Sequence, residues 1–297
     1  MIPEKSKTFE SIEWEEASCH LCQGPSKKIL LRGKELTQGQ FDYEVHPRLC
    51  ECGLVYLSPR WTPRTYSEFY SEYYDELYRL EIKPDYGSEG VRRHMEQVWL
   101  RSKPVLGDIS AFKKVIDIGC GSGTGLNVLK EAMPQVQLHG IDASPECLET
   151  LEHEVGAIVV DSDLDGDWIE HYEGHFDFIV LRHVVEHILT PIESLSRLKK
   201  TLAPVGLMYI AVPDMLNPRI VLRDYENWWE YYFRAVHPYY YSKENLFVTL
   251  ERAGLYPQVW GEDSEEVWCL VGTEEKKPTQ LDGLREKVEK VLAEYLP

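Results

Sequence analysis

The stretch VIDIGCGSGTG, residues 115–125, constrains this chain more than any other. An apolar, β-branched run leads into Asp117, and Gly119, Gly121 and Gly123 then alternate ahead of an amphipathic segment. Glycines so placed let the backbone turn sharply from strand to helix and approach a ligand closely. The spacing is not the dinucleotide pattern, because the third glycine comes one residue early and position 124 is threonine. A phosphate-binding loop would need Gly-Lys-Ser or Gly-Lys-Thr, which is absent. An acid two positions before the first glycine suits a ligand with a positive end rather than a pyrophosphate. A second apolar run ends at Asp142, 21 residues after Gly121. A carboxylate at such a strand end can accept both hydroxyls of a ribose.

From Lys113 to Glu274, short β-branched runs alternate with amphipathic stretches, which implies βαβ units and a parallel sheet. Strands are predicted at 115–118, 138–141, 157–160, 176–181, 207–212, 256–260 and 267–271. Helices are predicted at 123–133, 145–155, 168–171, 191–202 and 242–253, the last capped by Ser242 and stopped by Gly254. Only GEDSEE separates the last two strands, so they should pair as an antiparallel hairpin. The expected fold class is α/β: a seven-stranded, mostly parallel, Rossmann-like sheet with strand seven antiparallel and helices on both faces. The expected domains are a cysteine-bearing module at 1–60, a helical lid or linker at 61–112, the α/β domain at 113–274 and a charged helix at 275–297.

The glycine segment resembles motif I of the class I S-adenosylmethionine-dependent methyltransferases, matching at Asp117, Gly119, Gly121 and Gly123, with Asp142 at the second acidic position. The resemblance implies that the first acid lies near the methionine moiety and the second binds the ribose. AIVVDSDL, residues 157–164, looks like the third strand and the adenine-contacting loop, with Asp161 and Ser162 in the contacting positions. FDFIVLRHVVEHILTP, residues 176–191, looks like strand four and its loop, and VPDMLNP, 212–218, like the end of strand five. HPYYYSKENLFVTLERAGL, 237–255, looks like the late helix. The implied cofactor is S-adenosyl-L-methionine, held by Asp117, Gly119, Cys120, Gly121, Gly123, Asp142, Ala143, Asp161, Ser162 and His183.

Four of the seven cysteines fall in the first 60 residues, as Cys19-x2-Cys22 and Cys50-x-Cys52. Two cysteine pairs joined by a hairpin make a tetrahedral thiolate site of the kind zinc favours. The second pair is one residue short of the usual spacing, so His20 and His46 are substitute ligands, and four reduced cysteines without metal are the alternative. CGLVYLSPR and FYSEYYDELY, which follow, resemble a methyltransferase subgroup with an N-terminal zinc ribbon, linked to bacterial glycan or secondary-metabolite pathways. Sugar C-methyltransferases of that subgroup continue into a further C-terminal domain. The present 297 residues leave no room for it, which favours a simpler transferase.

Tyr66, Phe69, Tyr70, Tyr73, Tyr74, Leu77 and Tyr78 recur at helical spacing, as a face packed on the core or a lid over the cofactor. Residues 225–241, YENWWEYYFRAVHPYYY, hold nine aromatics inside a segment, 214–241, at the carboxyl edge of the sheet. Ligands of open α/β sheets bind at that edge, so this segment is the expected acceptor pocket, with a packed cap or dimer contact as the alternative. Nothing ahead of Trp61 is expected to reach it. Arg92 or Arg93 could pair with the methionine carboxylate. Methyl transfer from a sulfonium needs mainly positioning and desolvation, but an alcohol acceptor must also lose a proton. His183 and His237 are the candidate catalytic bases. His187 is expected to pair with Glu186 or cap the loop, and Asp214 is a weaker base candidate.

The net charge is −18, and the interval 142–193 carries 14 acids against the single base Arg182. Such a surface repels a polyanion, since nucleic-acid affinity rests mainly on phosphate neutralisation. The front 60 residues, with nine acids and eight bases, do not look like a nucleic-acid finger. The apolar runs are too short and too broken for a transmembrane helix, and the N-terminus has no apolar signal core. The expected partner is therefore a small-molecule acceptor in the cytoplasm, with no nucleic acid and no membrane, and with a homodimer left open. O-methylation of a sugar, glycan precursor or natural product is the leading expectation. N-methylation of a small molecule, RNA or protein methylation, and a non-catalytic zinc-bearing adaptor are the alternatives.

Overall fold

The alternation of apolar runs and amphipathic segments resolves, in the computed structural model, into a seven-stranded sheet; the structure describes residues 12–31, 34–35, 44–74, 88–217, 232–263 and 266–295. The strands are β1 (Lys114–Ile118), β2 (Gln137–Ile141), β3 (Ile158–Asp161), β4 (Phe176–Arg182), β5 (Leu202–Pro213), β6 (Tyr256–Asp263) and β7 (Glu266–Gly272). Their spatial order is β3-β2-β1-β4-β5-β7-β6. The first five pair in parallel, and β7 is antiparallel to both β5 and β6. This is the Rossmann-like arrangement the sequence predicts, including the closing hairpin.

Both faces of the sheet are covered, so its central strands are apolar on both faces along most of their length. Ile116, Ile118, Ile179, Leu181, Ile210 and Val212 belong to one core cluster. Their sequence neighbours Val115, Phe178, Val180, Tyr209 and Ala211 belong to another. That split is the period-two alternation of a pleated strand. Helices α2 (Ser88–Leu106) and α3 (Thr124–Ala132) pack on the second face through Met95, Val98, Leu126 and Leu129. They meet at Gly125, where an added Cβ would lie 3.1 Å from Met95 Cε.

The first face carries α6 (Pro191–Leu198) and α7 (Lys243–Arg252), through Leu195, Leu198, Leu246 and Leu250. Ser242 caps α7 by accepting from the Asn245 N–H, and Gly254 follows it with φ +75°. Two shorter helices, α4 (Pro145–Thr150) and α5 (Trp168–His171), complete the crossovers. The predicted helix at 145–155 ends at Thr150 as an α-helix and continues as a wider π turn through Val155, closed by Gly156.

The front residues form their own antiparallel sheet, Ser26–Lys28, Pro47–Cys50 and Val55–Leu57. Its fourth strand is Tyr239–Tyr240, from the aromatic segment, paired with Val55 and Tyr56. The expectation that nothing ahead of Trp61 approaches that segment is thereby corrected. Tyr241 in turn bridges to Asp214 at the end of β5, and the Met215 N–H donates to Tyr241 O at 2.8 Å. One short strand thus ties the front sheet to the carboxyl edge of the main sheet. Cys19, Leu21, Cys50, Leu54 and Tyr56 share the core of the first face. Asn245 Nδ2 donates to Gly53 O at 3.2 Å, His20 Nε2 bonds Thr249 Oγ1 at 3.0 Å, and the C-terminal helix α8 (Leu284–Tyr295) crosses at Gly53.

Helix α1 (Pro63–Glu68) starts at Thr62, whose hydroxyl accepts from the Thr65 N–H, with Pro63 at the first helical position. It widens into a π turn at Phe69–Tyr73. Tyr66 and Phe69 are buried against Trp61, Phe233 and Tyr240, so this part of the aromatic face is core. Leu77, Tyr78 and residues 225–231 lie outside the described residues. Among the described residues, no helix is long and apolar enough to cross a membrane.

Candidate active site

Strand β1 delivers Asp117, then a loop in which Gly119, Gly121 and Gly123 all have left-handed backbone, at φ +71°, +55° and +74°. Any L side chain would be strained there. Steric contact adds to that at two of the three. A Cβ on Gly119 would lie 2.8 Å from Val184 Cγ2, and one on Gly123 2.5 Å from Leu151 Cδ1, whereas one on Gly121 would meet nothing within 4 Å. The loop is thus packed from below at its ends and open at its middle glycine, the shape of a cradle.

Asp142 closes the cradle from the end of β2. Its Oδ2 accepts the Gly121 N–H at 2.7 Å, and its Oδ1 accepts the Ser144 N–H at 2.9 Å. These bonds fix the carboxylate beside the open glycine, and Ala143 lies next to it. Asp117 is 6% exposed. Burial, with the Asp142 charge beside it, pushes its carboxyl up to about 8, and Arg182 opposes this. Cys120 is buried, and its thiol is raised by that burial. At the end of β3, Asp161 Oδ1 accepts the Ser162 N–H at 2.7 Å and the Asp163 N–H at 3.2 Å. Nine of the ten residues read from the sequence as holding the cofactor, all but His183, thus stand at the carboxyl ends of β1, β2 and β3.

His183 follows β4 directly and holds a left-handed backbone, φ +56°, which is uncommon for a non-glycine residue. Its Nε2 bonds Glu266 Oε2 at 2.9 Å. Arg182 Nη2 lies 3.0 Å from the same oxygen, and Arg101 Nη1 bonds Oε1 and also donates to Tyr209 OH at 2.6 Å. Burial alone would raise the Glu266 carboxyl, but the His183 bond and the Arg182 charge hold it well below the usual range. An ionised carboxylate only accepts, so His183 Nε2 carries the proton of that bond. His94, on α2, faces the same cluster, and burial with the Arg182 charge lowers it to about 4, so it is neutral. Glu266 and His94 escape sequence reading. Glu266 stands in the acidic run GEDSEE, which reads as a solvated turn.

The second base candidate stands in a different neighbourhood. The His237 ring meets that of His187 edge to face, with centroids 4.6 Å apart. His187 Nδ1 bonds Tyr70 OH at 2.7 Å, so its partner is the tyrosine and not Glu186. Glu186 is 1% exposed, no other side chain among the described residues is hydrogen-bonded to its oxygens, and burial pushes it up to about 8. Asp214 accepts the Leu216 N–H at 2.9 Å, and burial raises it to about 6. Arg92 is spent on the surface, where it pairs with Glu131 at 2.6 and 3.0 Å. Arg93 is exposed.

In the front module the sulfurs of Cys19, Cys22, Cys50 and Cys52 lie within 4.8 Å of one another, with separations of 3.2, 3.5 and 3.8 Å. Thiolates about 2.3 Å from a tetrahedral zinc stand about 3.8 Å apart, so the four sulfurs fit such an ion. The short Cys50-x-Cys52 spacing is accommodated by a turn in which the Gly53 N–H donates to Cys50 O, with Gly53 at φ +85°. His20 is not needed as a ligand. It bonds Thr249 and packs on Tyr239 at 4.5 Å. His46 lies beside Glu44 and Trp14.

Residues 91–258 match the family model of a methyltransferase domain. The trans-aconitate 2-methyltransferase of Acidovorax sp. (strain JS42) is 30% identical over 108 residues, covering 36% of this chain and 41% of the relative. The protein of that name from Pseudomonas paraeruginosa is 27% identical over 128 residues, covering 41% and 45%. The chain thus spans less than half the length of these curated relatives. A crystal structure of a protein from Pyrococcus horikoshii OT3 superposes with a TM-score of 0.50 at 15% identity, covering 68% of this chain and 99% of that one, a likeness of fold.

Proposed function

The chain belongs to the methyltransferase domain family, and from that premise we propose that it transfers a methyl group from S-adenosylmethionine to a small-molecule acceptor, at oxygen. One observation carries the reading: the Asp142 carboxylate is locked at 2.7 Å onto the backbone of the open glycine Gly121. That is the arrangement a ribose diol needs, with a fixed acceptor beside backbone that a ligand can approach. When bound, the cofactor supplies a methyl group already activated on a sulfonium.

The residues around it bind, orient and exclude water. Gly119–Gly123 form the floor, Asp142 and Ala143 take the ribose side, and Asp161 and Ser162 stand at the adenine side. Asp117, protonated near neutral pH in its buried site, would ionise beside a cation, since an opposite charge favours the charged form. His183 is the base: Glu266 fixes its ring through Nε2 at the end of β4, where an acceptor hydroxyl can give up its proton to an imidazole. His237 and the aromatic wall of Tyr70, Tyr232 and Phe233 supply the apolar acceptor side. A small-molecule acceptor is supported by the acidic interval 142–193, which disfavours a polyanion, and by relatives named for trans-aconitate. The four front cysteines hold a structural zinc.

The test is calorimetry and labelled-methyl transfer. Asp142→Ala should weaken S-adenosylmethionine binding by about 1–3 kcal/mol, the range for a lost charge-assisted hydrogen bond. Unchanged affinity removes the ribose assignment. Failure to bind the cofactor, or binding without transfer to any small hydroxylated acceptor, returns the chain to the adaptor reading.

A further inference from the structure

A second cluster of ligand-type side chains lies beyond the cofactor cradle and outside the four-cysteine site. Glu186, His187 and His237 each bring one ligand atom to within 4.8 Å of the others. Two residues come from the loop after β4, and the third comes from the aromatic segment that pairs with the front sheet. Glu186 makes the cluster unusual. It is 1% exposed, and among the described residues no other residue's side chain is hydrogen-bonded to its carboxylate oxygens. Burying an acceptor group without a partner is costly, and more so if it is charged. A group so placed in a native fold calls for a polar or ionic partner.

The His187 ring supplies an independent observation. The Tyr70 hydroxyl holds it through Nδ1 at 2.7 Å. A ring pinned through one nitrogen presents the other in a fixed direction, as metal-ligating histidines are held by an outer partner. His237, 9% exposed, stands edge-on to the His187 ring at 4.6 Å.

We propose that Glu186, His187 and His237 form a binding site for one divalent transition-metal ion, separate from the cysteine site. Two imidazoles and a carboxylate suit zinc, iron, cobalt or nickel rather than calcium or magnesium. Ligand atoms about 2.1 Å from an ion stand about 3.0–3.4 Å apart, and the three ligand atoms lie within 4.8 Å of one another. Three protein ligands leave at least one position open. The ion would face the acceptor side, where it can hold an acceptor oxygen and lower its pKa. Metal binding does not depend on the transfer reaction. Only this last consequence rests on the proposed function.

The experiment uses the full chain after dialysis against a mild chelator, titrated with cobalt(II) alone and followed by visible absorption and calorimetry. Saturable uptake of about one equivalent is expected, with the weak bands of a nitrogen–oxygen site and no thiolate charge transfer. Glu186→Gln and His237→Gln should each weaken uptake by about 10–100-fold or more, with retained cysteine-bound zinc and an unchanged melting temperature reporting an intact fold. If one variant does not fold, the other carries the test, along with stabilisation of the wild-type chain by cobalt. Absence of saturable uptake overturns the site. So does uptake that neither folded variant weakens, or uptake whose spectrum is that of thiolate ligands. If metal binding fails while S-adenosylmethionine still binds, the site falls and the transferase reading stands.

Discussion

Glu266→Gln probes the charge cluster that links β7 to β4 and α2. The carboxylate is 5% exposed and takes bonds from His183, Arg182 and Arg101. Glutamine keeps the shape and one acceptor oxygen, but it loses the charge and turns an amide N–H₂ toward a cation. Removing one partner of a buried ion cluster costs about 3–5 kcal/mol. The lower figure applies, because the side chains of Arg182 and His183 keep 21% and 29% of their exposure, and Arg101 keeps Tyr209 and the face of Trp268. The expected loss is about 3 kcal/mol, or roughly 6–10 °C in melting temperature for a chain of this size.

The pH dependence follows from the direction of the shift. Glu266 is held below its ordinary value in the folded state, so its contribution is complete above about pH 5 and fades as the pH falls through the folded value. Asp117 and Glu186 are raised and act oppositely, their contributions falling as pH rises toward about 8. Both remain in the variant and cancel in the difference. Urea denaturation of both proteins from about pH 8 to pH 3 should therefore show a constant gap that narrows only below about pH 5. Glu262→Gln, which breaks the exposed pair with Lys243 in the same hairpin, should change stability by less than about 1 kcal/mol. A gap under about 1 kcal/mol for Glu266→Gln, or one indifferent to acid, would refute the hub.

Two further outcomes are expected. After dialysis against a mild chelator, elemental analysis should find about one zinc per chain, and Cys50→Ser should lose it with most of the front sheet; a metal-free preparation whose front sheet stays ordered rejects the zinc site. His183→Asn, a residue that tolerates the left-handed backbone, should lower turnover on an alcohol acceptor by about 10²–10⁴-fold. Cofactor affinity should change far less, and a loss of under tenfold in turnover assigns the reaction to positioning alone.

The central sheet was legible because its signals are local. Val115–Ile118 and Phe176–Leu181 are apolar runs buried on both faces, the glycine loop sits between a strand and a helix, and Ser242 and Gly254 bracket α7. The glycine conformations also followed from residue type, since Gly119, Gly121 and Gly123 all adopt the left-handed backbone that spacing demands. Three features were not legible, and each depends on a partner distant in sequence. Tyr239–Tyr240 is a two-residue strand whose partner, Val55–Tyr56, lies in the front module, and so short a strand carries no periodicity. Glu266 becomes a hub only because antiparallel β7 starts where β4 ends. Glu186 reads as a partner for His187, and its burial depends on Tyr232, His237 and Tyr241, which come to it from the distant aromatic segment.

The same long-range contacts fasten the front module to the segment that carries His237, the proposed acceptor side. Its hairpin Pro47–Leu57 carries Cys50 and Cys52 at its turn and is paired along its second strand with Tyr239–Tyr240. His237 stands two residues before that pairing, and Leu57 N–H donates to Pro238 O at 2.9 Å. Asp214, at the end of β5, receives Tyr241 on the opposite side. The position of His237 over the sheet edge is therefore set by backbone bonds from the front module on one side and from β5 on the other. The cradle at Gly119–Gly123 and Asp142 has no such dependence, since its bonds run between β1, β2 and their own loops. Disturbing the cysteine cluster should then act on acceptor chemistry before it reaches the cofactor, because the two ends of the site are fastened to different parts of the fold.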